Sequence, residues 1–507
     1  MPPITADDGS RISVVWFKRD LRLHDHRAFV EAARDHRIIP LFIQEPDLHR
    51  REGLSAATLE FGVGCAAALD RRLRSLGGAL VVRQGEAVTV FDRLFASNPF
   101  ATIHAHEETG GERTYARDLA VGRWCLDHGV RLVEHPQHGV IRRLRDRDGW
   151  AARWNATMAR PESPDPLQGE SVQFASVEDV GRLVGPEGLG FSPSDRVAIQ
   201  PAGEGHALAT LEDFLRRRGR DYRSAMSSPV TAEAACSRIS PHLAWGSLSI
   251  RRAHQAGAAR QRELRASGDR SGWGGSLASF QSRLRWHCHF MQKLEDEPTL
   301  ESRCMNPAFE GMHDHHDETN FDSWSRGCTG YPMIDAVMRS LRATGWATFR
   351  MRALVVSFAC HQLQLDWRPV GRLLGRLFLD YEPGIHWSQC QMQAGVTGIN
   401  TVRIYSPIKQ VLDQDPSGVF IRRWVPELVG VPDEHLAEPH QMPGLTQQFA
   451  GCRIGEDYPE PIVPHAEAYR KAKELIFERR GRPEARSSAR AVQKKHGSRR
   501  RGTRRNR

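Results

Sequence analysis

Apolar residues in the first part of the chain come in short runs bounded by polar or turn-forming positions. The runs are Ile12–Phe17 (ISVVWF), 37–43 (RIIPLFI), 79–83 (ALVVR), 101–106 (ATIHAH) and 130–134 (VRLVE). Runs of this length read as buried strands. Between them, apolar residues recur at helical spacing over 55–76, 87–96 and 112–128. Strands alternating with helices predict an α/β fold, a doubly wound parallel sheet covered on both faces. After residue 206 the period changes. ALATLEDFLRRRGRDY carries a helical stripe, a long helix is predicted over 277–294, and others over 332–344, from 346 toward 365, and over 370–378. This second part reads as all-α. Between the two, 160–205 is rich in Pro, Gly, Ser and acidic residues, the composition of a connection running over a surface. The expected organisation is an N-terminal arm (1–10), an α/β domain (11–140), a linker (141–205), a helical domain (206–478) and a basic tail (479–507).

Length and charge refine this picture. A chain of 507 residues exceeds one core, so two or three domains are expected. No run approaches the roughly 20 apolar residues of a membrane helix, and the first residues lack the apolar core of a secretory signal. The nine cysteines include no C-x-x-C, which argues for a reducing compartment and against a zinc ribbon or disulfide framework. An iron–sulfur cluster drawn from Cys288, Cys304, Cys328 and Cys360 is the alternative; no metal is expected. The net charge of +10 is concentrated: 13 Lys/Arg and one acidic residue lie in 479–507, leaving 58 basic against 60 acidic groups elsewhere. The tail lacks apolar periodicity and is expected to be disordered. It would attract phosphate backbones in a salt-dependent way, or serve only solubility. A soluble, monomeric protein of the cytoplasm is expected, associated with the nucleoid if bacterial.

Four stretches carry candidate chemistry. Residues 377–407 (LFLDYEPGIHWSQCQMQAGVTGINTVRIYSP) place Asp380, Glu382, His386 and several glutamines among apolar residues, which suits a polar aromatic ligand held inside the protein. Arg352 would satisfy Asp380 as a bidentate partner. Cys236-Ser237-Arg238-Ile239-Ser240, before Pro241 and a helix, fits a phosphate or pyrophosphate, or plain helix capping. The helix over 277–294 mixes Arg283, Arg285, Trp286, His287 and His289, a combination suited to nucleic acid and a stacked ring. Residues 18–26 (KRDLRLHDH) follow the first strand where doubly wound folds bind ligands, but structural ion pairs that fix the loop are preferred there. No G-x-G-x-x-G follows that strand, so a standard dinucleotide site is not expected. The 313–318 run (HDHHDE) is expected to be a solvated polar loop.

Read together, the motifs VVWFKRDLRLHDH, CSRISPHLAWGSLS, GCTGYPMIDAVMRSLRATGW, RMRALVVSF, DWRPVGRLL, FLDYEPGI, RIYSPIKQ and FIRRWVPEL resemble, in order, those of the photolyase/cryptochrome flavoprotein family. The resemblance implies a helical domain holding FAD in a U shape, and an α/β domain able to hold an antenna chromophore (folate, deazaflavin or other). It implies that Tyr222 and Cys236, Ser237, Arg238, Ile239 and Ser240 grip the FAD phosphates. Trp286 and His287 would line the flavin and lesion cavity, and Trp346, Arg350 and Arg352 the flavin. Asp380 and Glu382 would accept its hydrogen bonds, with His386 beside its N5. Gln410 would begin a DNA-contacting loop.

The departures concern the lesion. Arg283 stands where dimer-repairing members carry a Glu, Phe349 replaces an Asn, and Met392 replaces a clasping Trp. The His pair of 6-4 photolyases is absent, since Ala347, Thr348 and Phe349 stand there. Of the relay tryptophans, Trp367 matches the middle one; Cys390 takes the flavin-proximal place, and Trp387, Trp324 or Tyr381 could form another relay. The expected function is light-driven repair of UV-damaged DNA, a cyclobutane dimer by default. Trp286 would stack on the lesion, Arg283 and Arg285 would meet bases or phosphates, and His287 or His386 would serve where a 6-4 product needs acid–base help. The alternative is a cryptochrome-like photoreceptor that binds FAD, signals through a partner and repairs nothing.

Overall fold

The computed structural model describes residues 11–34, 36–166, 172–193, 196, 199–314 and 316–497. The expected N-terminal arm lies outside them. Strand β1 (Ile12–Phe17) is buried at every position, as befits the centre of a sheet covered on both faces. With β2 (Arg37–Gln44), β3 (Val81–Gln84), β4 (Thr102–His106) and β5 (Arg131–His135) it forms a parallel sheet of order β3-β2-β1-β4-β5. Val14 on β1 pairs with Ile39 on β2 and Ile103 on β4. Pro40 is tolerated inside β2 because pairing with β3 begins only at Leu41, and the bridge from Phe174 ends at Ile38. The crossovers are α1 (Arg27–Ala33), α2 (Ala56–Ser75), α3 (Ala87–Ser97) and α4 (Glu112–Asp127). Strand order reverses at β1, which opens a crevice outside the carboxyl ends of β1 and β4.

That crevice is closed by its own charges. Lys18 Nζ pairs with Asp118 at 3.0 Å, and Arg117 pairs with Glu45 at 2.9 Å and Glu108 at 2.6 Å. Asp20 accepts from the Lys18 backbone N–H at 2.7 Å, from His26 Nε2 at 2.9 Å and from His106 Nδ1 at 2.8 Å. The loop over 18–26 is therefore fixed by structural hydrogen bonds and ion pairs, as its charge pattern suggests. Asp20, His26 and His106 are the described residues close enough to share an ion. N–H donors already engage the Asp20 carboxylate, and His26 Nδ1 accepts from the Phe29 N–H at 3.0 Å, so a cation would find few free lone pairs.

The helical part contains α5 (Trp150–Ala159), α6 (Glu204–Arg216), α7 (Ser240–Ala244), α8 (Ile250–Ala266) and α9 (Trp273–Asp296). It continues with α10 (Pro332–Thr344), α11 (Phe349–Ser357), α12 (Trp367–Leu377), α13 (Pro383–Gln393), α14 (His465–Gly481) and α15 (Pro483–His496). Side chains set the starts: Thr348 caps α11 through the Met351 N–H, Asp366 caps α12 through the Arg368 N–H, and Pro opens α10 and α13. The two parts share one core. Trp245 of the helical part lies so close to α2 that a Cβ on Gly62 would come within 2.5 Å of its ring.

Two expectations change. The segment 141–205 is not a bare linker, because α5 buries Trp150, Trp154 and Met158 in the helical core. Nor is the segment after 479 wholly disordered. It forms α15, whose Ala485 and Val492 are buried, Val492 against Leu294, Leu300 and Met305. Lys495 and His496 meet Glu297 at 2.8 and 2.6 Å. Composition hides these partners because two apolar residues seven apart suffice once a surface exists to receive them. Residues 498–507 lie outside the described part. No described helix is long and apolar enough to cross a membrane.

Candidate functional site

The site is built where α9, α11 and α13 meet, and its centre is two buried carboxylates at the entry to α13. Arg352 on α11 donates to Asp380 through both terminal nitrogens, at 3.0 and 2.9 Å. Burial alone would raise the Asp380 pKa, but Arg352 and the Ser240 hydroxyl hold it below the ordinary carboxylate range. The Ser240 contact ties the 236–240 loop to this carboxylate. Two residues on, Glu382 receives His287 Nε2 at 2.8 Å from α9. Burial would lower the His287 pKa, yet the Glu382 carboxylate pushes it to about 10, so the imidazole is protonated. His386 behaves oppositely. Burial drives it down to about 4, and its Nε2–H donates to the Gly371 carbonyl at 2.7 Å. Its ring is packed among Phe378, Tyr381 and Trp387, against α12.

On one side of α11 lies a cleft of about 420 Å³ lined by Arg218, Glu233, Arg238, Ser340, Thr344, Trp346 and Thr348, among others. Arg238 adopts a positive φ of 59° and lays its guanidinium 4.0 Å from the centre of the Trp346 ring. It has no ion pair among the described residues. Arg218 holds the loop by donating to the Cys236 and Ser237 carbonyls at 2.5 and 3.4 Å. Ile239 is buried, and Tyr222 is buried with its hydroxyl against Arg283, so that burial lifts its pKa to about 12.

On the other side of α11 lies a second cavity of about 410 Å³. Arg283, Trp286 and Phe290 of α9, Phe349 of α11 and Met392 of α13 all line it. Trp286 is 39% exposed and Phe349 48%, high values for large rings and an open invitation to a stacking partner. Arg283 lies 5.5 Å over Phe349. Four residues expected from the sequence to meet DNA are thus brought together. Two are not. Arg285 is exposed but lines neither cavity. Gln410 is 5% exposed within the helix Pro407–Gln414, because that helix turns this position inward, so its side chain is not presented to a strand.

Comparison with known proteins settles what this arrangement belongs to. A model described as the FAD binding domain of DNA photolyase matches residues 280–478, and one described as DNA photolyase matches 13–147. A deoxyribodipyrimidine photo-lyase of Streptomyces griseus is 31% identical over 488 residues, covering 90% of this chain and 97% of its own. This chain belongs to the photolyase/cryptochrome family. A cryptochrome DASH of Gloeobacter violaceus is 27% identical over 513 residues, covering 94% of this chain and 99% of its own. A bacterial class III photolyase from Agrobacterium tumefaciens superimposes with a TM-score of 0.81 at 26% identity, over 94% of this chain and all (100%) of that one.

The family's cofactor is FAD, and the residues present fit it. The cleft offers Arg238, without an ion pair among the described residues, for a pyrophosphate, and hydroxyls of Ser340, Thr344 and Thr348; beside it in sequence, Arg350 Nε is a buried donor with no partner among the described residues. The α/β crevice is a second, separate hollow. Its cavity is lined by Trp16, Lys18, Glu45, Arg117 and Trp245, among others.

The relay candidates divide. Trp367 is buried and meets Trp387 edge-on at 5.8 Å, and Trp387 meets His386 at 5.0 Å. Cys390 Sγ lies 3.6 Å from His386 Nε2. Trp324 stands apart, donating to the Val355 carbonyl at 3.2 Å. The 313–318 run also divides. His316 is exposed, whereas His313 is buried and bonds the Ala394 carbonyl at 2.9 Å; His315 lies outside the described residues. Cys288, Cys304 and Cys360 are buried and Cys328 half-buried, all as free thiols. Sequence reading missed Lys293, Gln493 and His496 as cavity residues. The first was findable, since 283, 286, 290 and 293 share one helical face. The others depend on where α15 lands.

Proposed function

We propose that this protein is a light-driven DNA-repair enzyme that splits UV-induced pyrimidine photoproducts, the cyclobutane dimer first among them. The observation that carries the reading is the open aromatic cavity of Trp286, Phe290 and Phe349, separated from the cleft by the start of α11. An extruded photoproduct of two adjacent pyrimidines needs a pocket of stacking surfaces beside the cofactor. FAD, when bound and reduced, supplies light absorption and one-electron donation. The chain's own residues do the rest. Trp286 and Phe349 offer faces for the flipped bases, and Met392 fills the remaining wall with a pliable side chain. Arg283 offers hydrogen-bond donors to base carbonyls or a phosphate. His287, held protonated by Glu382, keeps a fixed positive charge next to Trp286 and a proton at Nε2. His386, neutral and facing α12, is a positioning group for the Trp367–Trp387 pair.

Arg283 favours a second reading. A guanidinium where lesion-binding members carry a carboxylate suits a photoreceptor that has given up repair. Blue-light turnover separates the two. The purified, FAD-loaded, reduced protein is illuminated with oligonucleotides carrying one cyclobutane dimer or one 6-4 product, with dark controls. Light-dependent loss of the cyclobutane dimer is expected. Repair of neither lesion by protein that photoreduces normally overturns the enzyme reading and leaves the photoreceptor.

A further inference from the structure

Lys293 sits on the same face of α9 as Arg283, Trp286 and Phe290, and lines the aromatic cavity. It is 5% exposed. Its ammonium lies 5.1 Å from the centre of the Phe290 ring, and that ring stacks on Trp286 at 5.6 Å. Among the described residues it has no hydrogen-bond acceptor and no carboxylate partner. The nearby acids are committed elsewhere: Asp296 to Arg147 at 3.7 Å and Gln292 at 2.8 Å, Glu297 to Lys495 and His496. Arg147 adds like charge, and His289, bonded to Arg147 at 3.2 Å, adds no negative charge. A largely buried ammonium without an acceptor is costly, and an anion entering the cavity offsets part of that cost.

The C-terminal helix closes the same cavity. His496 of α15 lines this cavity and donates its Nε2–H to Glu297 at 2.6 Å, which leaves its buried Nδ1 a lone-pair acceptor rather than a donor to an anion. Gln493, one turn earlier, brings an amide to the wall. The cavity therefore has two cationic ends on α9, Arg283 and Lys293, about 15 Å apart along the helix, with ring faces between them. A free inorganic anion would make no use of the rings. A nucleic-acid strand uses both, because bases stack while phosphates seek cations.

We propose that Lys293, with Gln493 of the C-terminal helix, forms an anion subsite in this cavity whose ligand is a backbone phosphodiester beside the stacked bases. The proposal rests on the nucleic-acid reading of the cavity but not on repair chemistry. C-terminal residues thereby become part of the substrate site, a role their composition does not announce.

The test uses the FAD-loaded full chain, as wild type, Lys293→Met and Lys293→Arg, each checked for FAD retention. Inorganic phosphate is titrated at constant ionic strength while the thermal midpoint is followed. Binding is then measured for a thymidine tetranucleotide with native linkages and for its analogue with all linkages replaced by neutral methylphosphonates. Phosphate should raise the midpoint of wild type and Lys293→Arg but not of Lys293→Met. The native-over-neutral affinity ratio should fall about tenfold in Lys293→Met, the loss expected for one charge-assisted hydrogen bond. Equal ratios and equal phosphate responses in wild type and Lys293→Met overturn the subsite. A phosphate response that depends on Lys293 with an unchanged ratio overturns the phosphodiester as its ligand. Should Lys293→Met fail to hold FAD, Lys293→Gln carries the same comparison. A protein that passes this test yet repairs no lesion keeps the subsite and loses the enzyme reading.

Discussion

Replacing Glu382 by Gln removes the charge that keeps His287 protonated inside the protein while preserving the shape of the contact. Both side chains are buried, 9% and 8% exposed, so solvent does little to screen them. In the unfolded chain His287 titrates near its ordinary 6.5, and in the folded one near about 10. A folded value above the unfolded one means that folding takes up a proton, so the stabilisation is complete below pH 6.5 and is lost as pH rises toward 10. Its ceiling is about 5 kcal/mol, declining by about 1.4 kcal/mol per pH unit across that window. Breaking a buried charge pair costs about 3–5 kcal/mol, which sets the same scale. The assay is denaturant unfolding of FAD-loaded wild type and Glu382→Gln at intervals from pH 6.5 to 9.5. Wild type should lead clearly at pH 6.5, and the gap should close by several kcal/mol toward pH 9.5. A gap that is constant with pH would mean that His287 is not the group Glu382 holds charged, and the reasoning fails.

Other consequences are open to direct measurement. Trp367→Phe should slow flavin photoreduction at least about tenfold, because the edge-on contact with Trp387 is lost as an electron path; unchanged kinetics under steady blue light would remove Trp367 from the relay. Trp286→Ala should weaken binding of lesion-containing single strands by about 1–3 kcal/mol, the scale of one base–aromatic stack, with FAD content unaltered. Arg352→Ala should leave Asp380 buried and unpaired; we expect about 3–5 kcal/mol of lost stability by denaturant unfolding and poorer FAD retention in gel filtration. Ending the chain after Gly497 removes six arginines. Affinity for undamaged DNA should fall and the slope of log affinity against log salt should flatten by up to about 5, which fluorescence anisotropy across a salt series reads.

Much of this protein was legible before any coordinates. The five strands follow from short apolar runs; central β1, covered on both faces, admits no polar alternation, while the edge strand β5 keeps exposed and half-buried positions. Helix α10 begins and ends where its Pro and Gly place it. The Arg352–Asp380 pair could be anticipated because a carboxylate amid apolar residues requires a partner and a bidentate guanidinium satisfies it completely. Local signals of this kind survive in sequence because each is decided within a turn or a few residues.

What the chain alone left open was decided by surfaces that exist only after folding. The order of ionic pairing over 18–26 could be guessed in kind, but Asp20's choice of His26 and His106 required β1 and β4 to be neighbours. His386 was expected beside the cofactor; that its Nε2–H meets the Gly371 carbonyl was set by the close approach of α12 to α13. Gln410 was turned inward by the phase of its helix, which no composition reveals. The basic segment after 479 has the polarity of a disordered tail, yet Ala485 and Val492 found an apolar seat and Glu297 drew in Lys495 and His496. A helix with so few apolar residues is stable only against a partner, so sequence fixes its potential and tertiary packing fixes its existence.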